Sequence, residues 1–317
     1  MEKITRSNPW KGEVSPSSLD TASCFRKFLY DKVLGISPDI PKVALVFGTC
    51  IHKGIETYYI SKTTLGHTQA SLLGLQAFST AWDAAACDGD IKRNYLTGVT
   101  LLHEYFKVYE KDSTSFVPSL VECEQWMELP NGCMLLMKID RVRDENKYFT
   151  VVDTKTTTMA LTEYYFRNFE NALATTLYFW GVASILGQCD AVQIDAVHIP
   201  VDQRDPGVGF VRRVLMRTEL QVHEAITTVV YRTNHIRNVL SGSKKIRELL
   251  EAMPCNQHNC NDYGGCPYIG ICKYGFSHPS LCVDFKATNV IGEFIMEQAR
   301  KNVKGILETK LCEGVVV

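Results

Sequence analysis

Asp140, Asp153 and Lys155 fall in a segment that runs Met134-Leu-Leu-Met-Lys-Ile-Asp140-Arg-Val-Arg, then Asp144-Glu-Asn-Lys, then Tyr148-Phe-Thr-Val-Val-Asp153-Thr-Lys155. Two patterned runs flank a polar tetrad. The segment therefore predicts an antiparallel hairpin, with Asp140 on its first strand and Asp153 and Lys155 on its second. Side chains two apart on a strand share a face, so Asp153 and Lys155 point the same way. Two carboxylates and an ammonium at one spot are unfavourable unless a divalent cation and a phosphate complete the charge balance. The chemistry this serves is metal-assisted hydrolysis of a phosphodiester. Asp140 and Asp153 are hard oxygen donors suited to Mg²⁺ or Mn²⁺. His52, on a predicted helix with Glu56 four residues on, is a candidate third ligand, and an imidazole leans the site toward Mn²⁺. Lys155 is placed to orient an attacking water and to offset the charge that grows on the phosphate. The acid-x-Lys triplet is weak evidence by itself, because Asp90-Ile-Lys92, Glu145-Asn-Lys147, Asp284-Phe-Lys286 and Glu308-Thr-Lys310 share it. Apolar Val151-Val152 before Asp153, and Asp140 one strand earlier, single this copy out.

A second chemistry is carried by cysteine. Of the 12 in the chain, Cys255, Cys260, Cys266, Cys272 and Cys282 crowd together near the C-terminus, while Cys50, Cys87, Cys123, Cys133, Cys189 and Cys312 are scattered through patterned segments. The scattered ones suit small buried side chains. Clustered cysteines in a reducing compartment point to metal rather than disulfides. Cys260, Cys266 and Cys272 are evenly spaced, and Gly264-Gly265 and Pro267 allow turns that aim thiolates inward. The fourth ligand is open among Cys255, His258, Cys282 and the remote Cys24, which sits in Cys24-Phe-Arg-Lys-Phe-Leu-Tyr. A ligand set joining Cys24 to this segment would clasp both ends of the chain. The segment has no close Cys-x₂-Cys knuckle of the kind zinc favours. An iron–sulfur cluster on four thiolates is the favoured occupant, with Zn²⁺ as the alternative.

These residues need elements to hold them. Ser15-Pro-Ser-Ser-Leu predicts a capped helix running through Cys24 to a stop at Gly35, and Pro38 and Pro41 mark a loop. A helix from about residue 46 carries His52, and helices follow at roughly 68–86 and 93–111. Val121 to Leu129 alternates as a strand, Pro130-Asn-Gly turns it, and Cys133 to Arg143 returns. A single long helix is expected over about 161–186, strands over 192–201 and 209–217 flanking the loop 202–208, and helices over 219–240, 243–252 and 288–308. This order predicts an α/β (α+β-like) fold with a mixed central sheet flanked by helices. No Gly-rich phosphate loop follows any strand, which excludes a nucleotide-binding array.

At 317 residues, 45% hydrophobic and 22% charged, the composition is that of a globular protein with a substantial core. No apolar run approaches membrane-spanning length and the N-terminus lacks a signal-peptide core, so a cytoplasmic protein without membrane contact is expected. A net charge of −1 disfavours a tight duplex binder, leaving nucleic-acid contact to local patches.

Taken together, the motifs resemble the PD-(D/E)xK nuclease superfamily, in its RecB-type branch with a cysteine-ligated 4Fe–4S cluster. Phe47-Gly-Thr-Cys-Ile-His52 resembles its G-x-x-x-H motif, Lys138-Ile-Asp140-Arg its aspartate strand, and Val152-Asp153-Thr-Lys155-Thr its D-x-K signature. Cys24 with Cys260, Cys266 and Cys272 resembles its cluster ligands. Tyr178 falls where its Q-x-x-x-Y tyrosine stands, with Ala174 at the glutamine position. The resemblance implies a restriction-endonuclease-like core at about 43–240, in one nuclease domain over 1–317, with an iron–sulfur clasp from 15–35 and 253–285. It implies a Mg²⁺- or Mn²⁺-dependent deoxyribonuclease, most often an exonuclease on DNA ends or single strands in recombination, repair or phage DNA processing. His52, Asp140 and Asp153 would hold the catalytic metal, Lys155 would assist cleavage, and Tyr178 would contact substrate. A separate helicase or recombination protein is the implied partner, and the cytoplasm of a bacterium or phage-infected cell the implied location. The alternative is a non-catalytic iron–sulfur or zinc DNA-binding module that keeps the nuclease fold.

Overall fold

The computed structural model describes residues 10–21, 23–39, 42–113, 115–200, 209–241, 245–260 and 265–312. The expected loop 202–208, together with Pro41 and Gly264, lies outside the described residues. In chain order the elements are β1 (Glu13–Val14), α1 (Pro16–Thr21), α2 (Phe25–Phe28) with a π-helical turn (Leu29–Val33), β2 (Ile36–Pro38), α3 (Val43–Ala85) and α4 (Tyr95–Val108). There follow β3 (Phe116–Glu128), β4 (Met134–Glu145), β5 (Tyr148–Thr157), α5 (Glu163–Glu170), α6 (Leu173–Leu186), β6 (Ala191–His198) and β7 (Phe210–Leu215). The chain continues through α7 (Glu219–Leu240), α8 (Ile246–Ala252), a 3₁₀ turn (Gln257–Cys260), α9 (Ile269–Tyr274), α10 (Ser280–Val283), β8 (Phe285–Ala287) and α11 (Val290–Cys312). No described helix is long and apolar enough to cross a membrane.

The chain divides into two compact units. One comprises Pro41–Met127 and Leu136–Thr227; the other comprises Met1–Ile40, Glu128–Leu135 and Thr228–Val317. The first is built on a mixed sheet in which β3 pairs with β4 and the order continues β5, β6, β7. The β4–β5 hairpin turns on Asn146 and Lys147, both at positive φ (58° and 68°), the two-residue turn whose twist matches a hairpin. β4 pairs antiparallel with β5 from Glu145↔Tyr148 to Arg141↔Val152. β5 and β6 run parallel, joined through α5 and α6, and β7 returns antiparallel. The expected α/β class with a mixed sheet flanked by helices is what the chain forms.

α3 is two helical arms joined at Gly66, whose φ of 76° and ψ of 175° are non-helical. Both arms and α4 bury one aromatic core that includes Phe47, Tyr58, Tyr59, Phe78, Tyr105 and Phe106. The single helix expected at 161–186 is instead α5 and α6. Arg217 explains the break: its guanidinium donates to Phe169 O (2.7 Å), a carbonyl that a continuous helix would have paired internally, and to the hydroxyls of Thr175 (3.1 Å) and Thr176 (2.9 Å).

In the other unit, the expected Ser15–Gly35 helix is also broken. Ser15 and Ser18 cap α1 reciprocally, with Ser18 N donating to Ser15 Oγ (3.1 Å) and Ser15 N to Ser18 Oγ (2.7 Å). Cys24 then adopts extended φ/ψ (−120°, 101°) before α2. Arg26 donates to Met253 O (2.9 Å) and to Leu250 O, and Tyr30 stacks on Tyr268 at 5.5 Å. β2 and β8 pair antiparallel, Ile36↔Ala287 to Pro38↔Phe285, a small sheet that the sequence pattern does not announce.

Candidate metal centre and cysteine cavity

Continuing the β4–β5 register one pair past Arg141↔Val152 sets Asp140 opposite Asp153. Directly opposed residues share a face, and Lys155 joins them two positions along. Lys155 Nζ donates to Asp153 Oδ1 at 2.6 Å, and Thr154 N donates to Asp140 Oδ2 at 2.8 Å. His52 arrives from α3, with Nδ1 3.4 Å from Asp140 Oδ2 and 4.0 Å from Glu122 Oε1. The glycine of the G-x-x-x-H pattern has a physical reason: a Cβ at Gly48 would lie 3.2 Å from Thr156 Oγ1, so glycine lets α3 close on β5 one turn before His52.

Glu122, on β3, was not singled out by the sequence. One carboxylate oxygen of Glu122, one of Asp140 and a ring nitrogen of His52 all lie within 4.8 Å of one another, the one group of three such ligand atoms among the described residues. Asp153 stays outside that trio and is engaged with Lys155. Glu122 has φ of 44°, a left-handed conformation inside a strand, as in a bulge that re-aims a side chain. Within Val121-Glu-Cys-Glu-Gln-Trp-Met-Glu nothing distinguishes this glutamate from Glu124 or Glu128. Only its left-handed φ does.

The charges are strongly coupled. Burial pushes the Glu122 carboxyl up to about 7, with the Asp140 charge adding to the effect. Burial also raises Asp153, although Lys155 opposes it. For Asp140 the opposite sign wins: burial works upward, but the His52 and Lys155 cations hold its pKa below the ordinary range. Burial works to lower His52, and the neighbouring Asp140 carboxylate more than offsets it, leaving the imidazole a stronger base than usual. Lys155 is held firmly protonated by Asp153 and Asp140 against the pull of burial. Tyr178, on α6, is within electrostatic reach of that ammonium. Two carboxylates and an imidazole converging at this range are the donors a hard divalent cation takes.

The opposite faces of the same strands carry a buried polar row. Thr154↔Asp195 and Asp195↔Arg212 are register pairs, and Arg141 Nη1 donates to Thr154 Oγ1 at 3.0 Å. Asp195 Oδ2 accepts from Arg141 Nη2 (2.5 Å), Tyr105 Oη (2.5 Å) and Arg212 Nη2 (3.3 Å).

In the other unit, Cys24, Cys255, Cys260, Cys266 and Cys272 line a cavity of about 190 Å³, beside Tyr30. The remote Cys24 thus joins the three evenly spaced cysteines, while His258 and Cys282 are not among the lining residues. No three of these sulfurs come within 4.8 Å of one another among the described residues. Thiolates sharing one zinc at a Zn–S distance of about 2.3 Å would stand roughly 3.8 Å apart.

The sequence profile of the PD-(D/E)XK nuclease superfamily matches residues 13–273. Comparison with curated proteins gives no match. Among solved structures, a candidate exonuclease from Eubacterium rectale aligns with 13% identity and a TM-score of 0.49, covering 78% of this chain and 91% of that one. The protein SSO0001 aligns with 11% identity and a TM-score of 0.28, covering 70% of this chain and 77% of that one.

Proposed function

Because this chain belongs to the PD-(D/E)XK nuclease superfamily, we propose that it is a Mg²⁺- or Mn²⁺-dependent deoxyribonuclease acting as an exonuclease on DNA ends or single strands. The observation that carries this reading is the convergence of His52, Glu122 and Asp140 within 4.8 Å, beside the Asp153–Lys155 pair. His52, Glu122, Asp140 and Asp153 would hold the metal. When bound, the cation supplies Lewis-acid polarisation of the scissile phosphate and lowers the pKa of a ligated water. Lys155, protonated and half-exposed, orients the attacking water and offsets the charge gained by the phosphate. Asp153 fixes that ammonium at 2.6 Å, and Tyr178, within its electrostatic reach, would be a substrate contact.

The cysteine cavity supports a 4Fe–4S cluster held by Cys24, Cys260, Cys266 and Cys272. No three of its sulfurs stand as close together as zinc needs, which favours the larger group. Both units would then serve one nuclease domain, with the cluster as a structural clasp. It would work on DNA in the cytoplasm, beside a separate helicase or recombination protein.

The test is a panel of end-labelled linear single strands, linear duplexes and closed circles, each with Mg²⁺ or Mn²⁺. Linear DNA should be degraded and circles spared, with activity abolished in Asp153→Ala. Lys155→Ala should bind metal nearly as the parent does, yet cleave about 10²–10³-fold more slowly. Cleavage of circles would make the enzyme an endonuclease. An iron-loaded protein that binds DNA and digests none of the panel would instead be a non-catalytic module.

A further inference from the structure

A cubane cluster is closed by four thiolates, yet five line this cavity. Three of them are anchored at α2 and α9. Cys24 stands at the N-terminus of α2, Cys272 lies within α9, and the Cys266 carbonyl accepts from Ile269 N (3.2 Å) at the entry to that helix. The other two, Cys255 and Cys260, belong to one short stretch on either side of Asn256. That stretch is pinned beside the first ligand: Asn256 N donates to Cys24 Sγ at 3.3 Å and Asn256 Nδ2 to Ser23 O at 3.3 Å. Cys260 Sγ turns back on Asn256 O at 3.8 Å, whereas the Cys255 thiol reaches Cys272, with which it shares a hydrogen bond. Cys255 is exposed and Cys260 half-buried, so one is the readily presented thiol and the other the more enclosed one.

We propose that Cys255 is a further cluster ligand, interchangeable with Cys260 at a single corner, while Cys24, Cys266 and Cys272 hold the other three. This rests on the iron–sulfur reading above. Loss of either member of the pair leaves four thiolates around the cavity; loss of both leaves three.

The experiment uses the full chain purified anaerobically, with iron content and visible absorbance as readouts rather than cleavage. Cys255→Ser and Cys260→Ser should each keep iron at the parent level. The double variant should lose it as completely as Cys24→Ser does. A second measurement does not depend on how well each variant folds: iodoacetamide labelling of the iron-loaded proteins, read by mass spectrometry. Cys255 should become protected in Cys260→Ser relative to the parent, and Cys260 protected in Cys255→Ser. Loss of iron from either single variant, or labelling of Cys255 unchanged by Cys260→Ser, would overturn the exchange. An iron-free parent protein would defeat the cluster itself, a separate outcome read before any variant is made.

Discussion

Glu122 is held against two local preferences at once. Its φ of 44° costs a non-glycine residue about 1–3 kcal/mol, and its carboxyl is buried beside that of Asp140. Between the ordinary carboxyl pKa and about 7, the folded protein keeps a proton on Glu122 that the unfolded chain releases. Stability from this group therefore falls as pH rises through that window and is lowest above it. Glu122→Gln should stabilise the metal-free protein at pH 8 by about 1–3 kcal/mol and leave it nearly unchanged at pH 4. The same change should weaken Mn²⁺ binding at least about tenfold. Thermal melts across pH and Mn²⁺ titrations check both arms, and a less stable variant at pH 8 would show that the carboxylate is not an uncompensated charge. Because Glu122 and His52 both carry raised pKa values, metal binding must expel protons, so affinity should rise from pH 6 to pH 8. Asp140, Asp153, Lys155 and His52 were legible because each sits at a spacing that local periodicity interprets. Glu122 was not, since a left-handed residue inside a strand is set by tertiary packing and leaves no mark in the alternation of the sequence.

The β4–β5 hairpin illustrates what an element can disclose and what it conceals. Alternation and the polar tetrad reveal it, and Asn146-Lys147 at positive φ closes it. What fixes it in place comes from farther along the chain. Arg141, adjacent to Asp140, and Thr154, between Asp153 and Lys155, join Asp195 of β6 and Arg212 of β7 in one buried row. Tying the back face of these strands sets the positions of the candidate ligands on the front. Asp195 is wholly buried and faces two guanidinium groups, so Asp195→Asn would leave those cations under-compensated. The expected loss is about 3–5 kcal/mol. Urea denaturation measures it, and a loss below about 1 kcal/mol would mean that the row does not lock the sheet. The α5–α6 break has the same character. Arg217 holds it from beyond β7, so residues 161–186 alone read as one helix.

For the molecule as a whole, the chain crosses between its two units repeatedly, and such interleaving is not a local pattern that sequence periodicity can carry. Yet each chemistry is confined to one unit. His52, Glu122, Asp140, Asp153 and Lys155 all belong to Pro41–Met127 and Leu136–Thr227, and the five cavity cysteines all belong to the other. The proposed cluster, joining Cys24 to the segment beyond residue 254, would close a very long loop, where a cross-link restricts the unfolded chain most. Metal binding there would also be folding free energy for the unit that supplies the ligands. Cys24→Ser should therefore destabilise that unit by about 2–4 kcal/mol. Hydrogen exchange should show it as faster exchange in α2, α9 and the β2–β8 pair. Sites without shared partners add within a few tenths of a kcal/mol, so Mn²⁺ affinity at the His52–Glu122–Asp140 group should change by no more than about twofold. Cleavage and metal binding then separate: a variant that binds Mn²⁺ normally but degrades DNA poorly would place the cluster's contribution in substrate handling. A fall of tenfold or more in Mn²⁺ affinity would refute the independence of the two chemistries.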